Sequence, residues 1–185
     1  MKNNLKLTAL SLIVGSFLFT FLMSASCKNM AAHKNLPDSF LPMQVGNYWK
    51  MSATSYTEIQ DTLRIDGKLY YKFYSLVGGD ATSTNYYRID EQNRLVEGYI
   101  DEPKKVYVKA SFNAKLGDIF YTLNDKTEND YQVKVVSKTD SDMVFEFDMV
   151  YHPNLKGSKH TEKYIKGKGW ADEWKEVKIN GIVYK

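Results

Sequence analysis

The chain of 185 residues has room for one domain of ordinary size or two small halves sharing a core, and its four Pro and 11 Gly exclude collagen-like and low-complexity classes. With 25 Lys and Arg against 22 Asp and Glu the formal charge is +3, closer still to neutral once a leader carrying Lys2 and Lys6 is removed, so the basic excess of a nucleic-acid binder is missing. The only cysteine, Cys27, excludes an internal disulfide and any zinc or iron–sulfur site built on cysteines.

The chain opens as an address. Met1 to Lys6 is a short basic segment, Leu7 to Met23 is apolar apart from Thr, Ser and Gly, and Ser24-Ala25-Ser26 brings small residues up to Cys27. That order predicts a secretory signal over residues 1–26. The small residues and the cysteine resemble the lipobox of bacterial lipoproteins, with Ser24 where that pattern usually has Leu. The resemblance implies that Cys27 is acylated, palmitate-like, and becomes the new N-terminus. The competing reading is an uncleaved anchor, whose apolar run would sit at the lower edge of the roughly 17–25 residues that span a bilayer. Each buried acyl CH₂ contributes about 0.8 kcal/mol, so several chains hold a protein firmly at a membrane.

Residues 27–39 show no period and predict a lipidated tether, with His33 solvated in it. By the same resemblance Lys28 is no inner-membrane retention signal and no acidic cluster follows the cysteine. The implied location is the outer membrane, lipid-anchored, on the periplasmic face rather than the cell surface.

From residue 40 to 185 the pattern is that of strands. Phe40 to Gln44 leads into a turn at Gly46, and a strand is expected from Tyr48 to Thr57. Alternation follows in Leu69 to Val77 and in Val106 to Phe112. It is clearest at Met143, Phe145, Phe147, Met149 and Tyr151, where every second residue is apolar and one face of a strand must be buried. Asp66-Gly67 and Asn180-Gly181 are hairpin dipeptides that tolerate the positive φ of tight turns. No stretch holds helical periodicity. The expected fold is all-β, an antiparallel meander of about ten strands forming a curved sheet or an open half-barrel.

Two stretches echo each other: Val45-Gly46-Asn47-Tyr48-Trp49 and Leu116-Gly117-Asp118-Ile119-Phe120. Each reads apolar, Gly, Asn or Asp, any residue, large aromatic. The hairpins that follow them also correspond, which suggests related halves over 40–112 and 113–185 sharing one core. Trp49 is expected to plug that core. The run from Leu41-Pro42 to Val45-Gly46-Asn47 and Trp49, with Tyr164-Ile165-Lys166-Gly167-Lys168-Gly169, resembles hypothetical lipoproteins of Bacteroidetes, although Trp170 stands where they have an aliphatic residue. That resemblance implies a lipid-anchored β domain and brings no catalytic motif with it.

Chemistry is sparse. No nucleophile elbow, phosphate-binding loop or metalloprotease helix is present, and Gly167-Lys168-Gly169 reads as a backbone turn. Glu146 and Asp148, with His152 and His160 nearby, could supply paired carboxylates or an oxygen and nitrogen metal site; the plainer reading is a solvated face. Aromatics are the stronger candidates. Tyr48, Tyr70, Tyr86, Tyr107, Trp170 and Trp174 fall at or near strand positions and could bind acyl chains, glycan rings or an envelope protein, or simply pack across strands. The reading that follows is a non-enzymatic envelope lipoprotein that binds or scaffolds, needing no cofactor. The alternatives are a half-barrel carrier of an apolar ligand such as lipid, and a metal-assisted hydrolase.

Overall fold

The computed structural model describes residues 38–171 and 173–185. The expected leader at 1–26, Cys27 and nearly all of the expected tether lie outside the described residues. The last two tether residues belong to the folded part, since Asp38 pairs with Lys166 and the Ser39 carbonyl accepts the Gly167 amide at 2.7 Å.

Thirteen strands make up the described chain, and no helix is found among the described residues. β1 (Tyr48–Ser52), β2 (Ser55–Ile65), β3 (Lys68–Val77), β4 (Ala81–Ile89), β5 (Arg94–Gly98) and β6 (Val106–Ser111) follow one another as antiparallel neighbours. β7 (Ile119–Tyr121), β8 (Gln132–Lys138), β9 (Asp142–Asp148), β10 (His160–Ile165) and β11 (Gly169–Trp170) build a second antiparallel sheet in chain order. The chain then returns: β12 (Glu176–Ile179) pairs with β1, and β13 (Ile182–Tyr184) pairs with β12. The result is an eight-stranded sheet, β13-β12-β1-β2-β3-β4-β5-β6, and a five-stranded one, β11-β10-β9-β8-β7, and neither closes into a barrel among the described residues.

Both sheets bury one face in a shared core. Trp49, Ile59, Phe73 and Leu95 come from the larger sheet and Val133, Val135, Phe145 and Tyr164 from the smaller, each nearly or fully buried. Trp49 is fully buried, as its place in the motif predicts. The period-two run in β9 is also there, with Met143, Phe145 and Phe147 inward. It stops earlier than expected, because a tight turn carries the Val150 amide back to the Asp148 carbonyl and leaves Tyr151 exposed.

The expected strand over Tyr48 to Thr57 is in fact two. A turn at Ala53-Thr54 breaks it, held by the Ser52 hydroxyl, which accepts the Thr54 amide at 3.2 Å. This turn carries neither Gly nor Asn, so it lacks the usual signal.

The two echoed stretches form the same local structure. Gly46 has φ 88° and donates to the Ile59 carbonyl at 2.8 Å, whose own amide returns to Asn47 at 2.9 Å. Gly117 has φ 89° and donates to Val135 at 2.9 Å, whose amide returns to Asp118 at 3.0 Å. A register shift follows in each case, between Ile59 and Asp61 and between Val135 and Ser137. In β2 that shift changes which residues face inward: Ile59 faces the shared core, whereas Leu63 and Ile65 join a second cluster with Tyr70 and Val96.

Candidate functional site

The two motifs that stand out in the sequence meet in space. The Trp49 indole donates to the Lys168 carbonyl at 2.5 Å and sits against Gly169, where an added Cβ would come within 2.8 Å of the ring. Gly169 also has φ 91°, so only glycine suits both its backbone and its contact. Asn47 is buried and ties three segments together. Its amide donates to the Pro42 carbonyl at 3.0 Å, and its side-chain oxygen accepts the Asn180 amide at 2.8 Å.

This junction supports an aromatic platform. The Trp170 ring packs edge-on against Trp49 at 5.1 Å and Phe73 at 5.6 Å, with Tyr87 at 6.3 Å. The Trp174 indole is held by a hydrogen bond to the Trp170 carbonyl. Above these rings the sheets part, leaving an open cleft of about 360 Å³. That volume is at the low end of small-molecule sites, roughly 300–1,000 Å³.

Polar groups enter the cleft from both sheets. Thr57, Ser75 and Asn85 line one side, and Thr161, Glu162 and Lys163 of β10 line the other, with Lys109 of β6 between them. The Thr57 and Ser75 hydroxyls bond to each other at 2.8 Å, and the Asn85 amide is oriented by Glu97 at 2.8 Å. Lys109 lies 3.9 Å from Glu162, and the two side chains are 22% and 26% exposed. Glu162 also accepts the Tyr164 hydroxyl at 2.8 Å, while Lys163 is answered by Asp142 at 3.7 Å. The cationic end of Lys109 stands over the rings of Tyr87 and Tyr107 at 5.9 and 5.7 Å.

Burial raises the Tyr87 hydroxyl well above the ordinary phenol range, with the carboxylates of Glu97 and Glu162 adding to it. Tyr164 is raised the same way, by burial first and then by Glu162. Tyr107 is raised chiefly by burial. These phenols stay protonated at neutral pH, so they offer hydrogen bonds rather than proton transfer.

Of the six aromatics singled out in the sequence, the structure brings Trp170 and Trp174 into this cleft, and Tyr107 adjoins it through Lys109. The other three lie elsewhere. Tyr48 donates to Glu176 under the Lys178 ammonium, beside a shallow recess lined by Lys50 and Tyr56. Tyr70 is buried in the second cluster, and Tyr86 packs at its margin. Strand alternation explains the split, since Tyr70 and Tyr86 are an odd number of places from the inward Phe73 and Tyr87.

Sequence reasoning missed Thr57, Ser75 and Asn85, and a signal for them existed. Each sits two places from an inward residue, respectively Ile59, Phe73 and Tyr87, so each puts a polar group on the core-facing side. A polar residue in an inward register is the mark of a site or of a mouth in the core.

The carboxylate and histidine group does not converge. Glu146 pairs with Lys159 at 2.9 Å, Asp148 accepts the Gly157 amide at 2.8 Å, and His152 accepts the Asn154 and Leu155 amides at 3.1 Å. His160 stacks on Phe147 with ring centres 5.0 Å apart. Among the described residues no group of three or more His, Cys, Asp or Glu could hold a metal ion. Comparison of the chain with protein families, with curated proteins and with solved structures finds no match.

Proposed function

We propose that this protein is a non-enzymatic lipoprotein of the cell envelope, anchored through Cys27 on the periplasmic face of the outer membrane, which binds its ligand or partner in the cleft between the two sheets. The observation that carries the binding role is the cleft itself, where a rigid aromatic floor is overhung by inward-facing polar side chains. Buried aromatics with convergent polar groups are the ordinary composition of a specific binding site.

A carrier of apolar ligands needs apolar lining. Here the space between the sheets is filled by Trp49, Phe73, Phe145 and Tyr164, and the part left open presents Ser75, Asn85, Lys109 and Glu162. An acyl chain laid there would strip water from these groups without replacing their hydrogen bonds, at about 1–3 kcal/mol each. The polar rim therefore favours a polar ligand.

The test is native mass spectrometry of the full-length protein isolated from its own envelope. The wild type is expected to carry acyl chains on Cys27 and to retain a bound species that Trp174→Ala loses. An unacylated cysteine would remove the anchoring claim, while equal retention by both proteins, or none by either, would remove the cleft.

A further inference from the structure

We infer that the cleft takes a neutral saccharide, stacked on the Trp170 and Trp174 platform and hydrogen-bonded by Asn85, Ser75, Lys109 and Glu162. This rests on the binding role proposed above and names its ligand class. Three features of the cleft lead to it.

The first is rigidity. Trp170 is wedged against Trp49, Phe73 and Tyr87, and Trp174 is tied to the Trp170 backbone. Aromatics immobilised before binding lose little conformational freedom on contact, so even the weak attraction between ring C–H groups and an aromatic face is retained. A sugar ring has such a face.

The second is charge. Lys109 is matched by Glu162 and Lys163 by Asp142. An anion entering the cleft meets the Glu162 carboxylate, and a cation meets Lys109. A neutral molecule meets a balanced pair, and hydroxyl groups can both accept from the lysine and donate to the carboxylate.

The third is the neutral polar lining. Ser75 and Asn85 stand on the inward side of β3 and β4, two places from the core residues Phe73 and Tyr87, and neighbouring side chains hold each of them in place. A ligand with hydroxyls around its edge and carbon–hydrogen groups on its face meets both halves of the site. Neither a fatty acid nor a simple ion does.

Tryptophan fluorescence of the full-length protein in a sugar-free detergent tests this. The probes are neutral disaccharides built from glucose, galactose, mannose and N-acetylglucosamine, with glucuronate and palmitate as contrasts. At least one neutral disaccharide is expected to give a saturable change that Trp174→Ala abolishes. Glu162→Gln, which keeps an acceptor for Tyr164 and so should fold, is expected to weaken that binding about tenfold, as for one lost charge-assisted hydrogen bond. A response to palmitate or glucuronate alone, unchanged affinity in Glu162→Gln, or no response to any disaccharide overturns the saccharide assignment. A different species retained by the wild type and lost by Trp174→Ala in native mass spectrometry leaves the binding role standing without it, so the two claims fail separately.

Discussion

Asp130 shows how much one buried carboxylate can organise. It is fully buried, and its two oxygens accept the amides of Leu123, Asn124, Asp125 and Lys126 at 2.8 to 3.1 Å. Burial pushes its pKa up, but the backbone amides together outweigh that and hold it below the ordinary value. A carboxylate with a lowered folded pKa contributes its stability in full above the unfolded value of about 3.9, and loses it as pH falls through the folded value. Asp130→Asn places a second donor group among these donors and removes the charge. It is expected to cost about 1.5–3 kcal/mol at neutral pH in urea unfolding. The gap from wild type should narrow as the medium is taken below the folded pKa, and a gap independent of pH would contradict this account.

At the same scale, Asn47 and Trp49 changed meaning between sequence and structure. Their types alone mark a turn residue and a core plug. Only the packing shows that Asn47 reaches the Asn180 turn and that Trp49 seats on Gly169. Such partners are far away in the chain, and nothing in the local pattern points to them.

Among the elements, β3 and β5 meet across β4 through Tyr70 and Gly98. A Cβ on Gly98 would stand 2.6 Å from the Tyr70 ring, and since Gly98 has no positive φ the obstacle to alanine there is steric. Gly98→Ala is expected to cost about 1–3 kcal/mol by overpacking. Combined with Tyr70→Leu, which clears the space, the two changes should be less than additive in a double-mutant cycle. Strict additivity would mean that the ring simply moves aside.

Elements differed in how well they could be read. Asp66-Gly67 and Asn180-Gly181 form the turns their types predict, with positive φ at all four residues, and β9 shows the alternation that foretold it. In each, the cause lies within a few residues of its effect. Ala53-Thr54 was invisible because a serine hydroxyl, rather than a glycine backbone, makes the turn. The split within β2, where Ile59 faces the shared core and Leu63 and Ile65 face the second cluster, was equally hidden. It depends on the register shift after Ile59, which changes the inward parity of β2.

For the whole molecule, the pairings among the described strands join chain neighbours in every case but one. The exception is β1 with β12, which brings the C-terminal hairpin beside the first strand. That hairpin buries Val177 and Ile179 in the shared core and supplies the Asn180 amide to Asn47. Removing residues 176–185 would leave β1 as an unprotected edge and open the core beside Trp49. Such a chain is expected to lose its cooperative thermal transition, followed by circular dichroism. A truncated protein with an unchanged midpoint would show that the hairpin is only an ornament on the sheet.

Composition, alternation and turn chemistry were sufficient for an all-β antiparallel meander, for a buried Trp49 and for a turn at Gly167-Lys168. These properties depend on the period of side chains along one strand and on backbone preferences of single residues, both written locally. Tertiary structure alone decided that the strands divide into two sheets, that β12 returns to β1, and that Trp170 and Trp174 share a cleft with Lys109 and Glu162. Those outcomes depend on register and on contacts between residues remote in the chain, where the free energy of packing the two sheets together makes the choice.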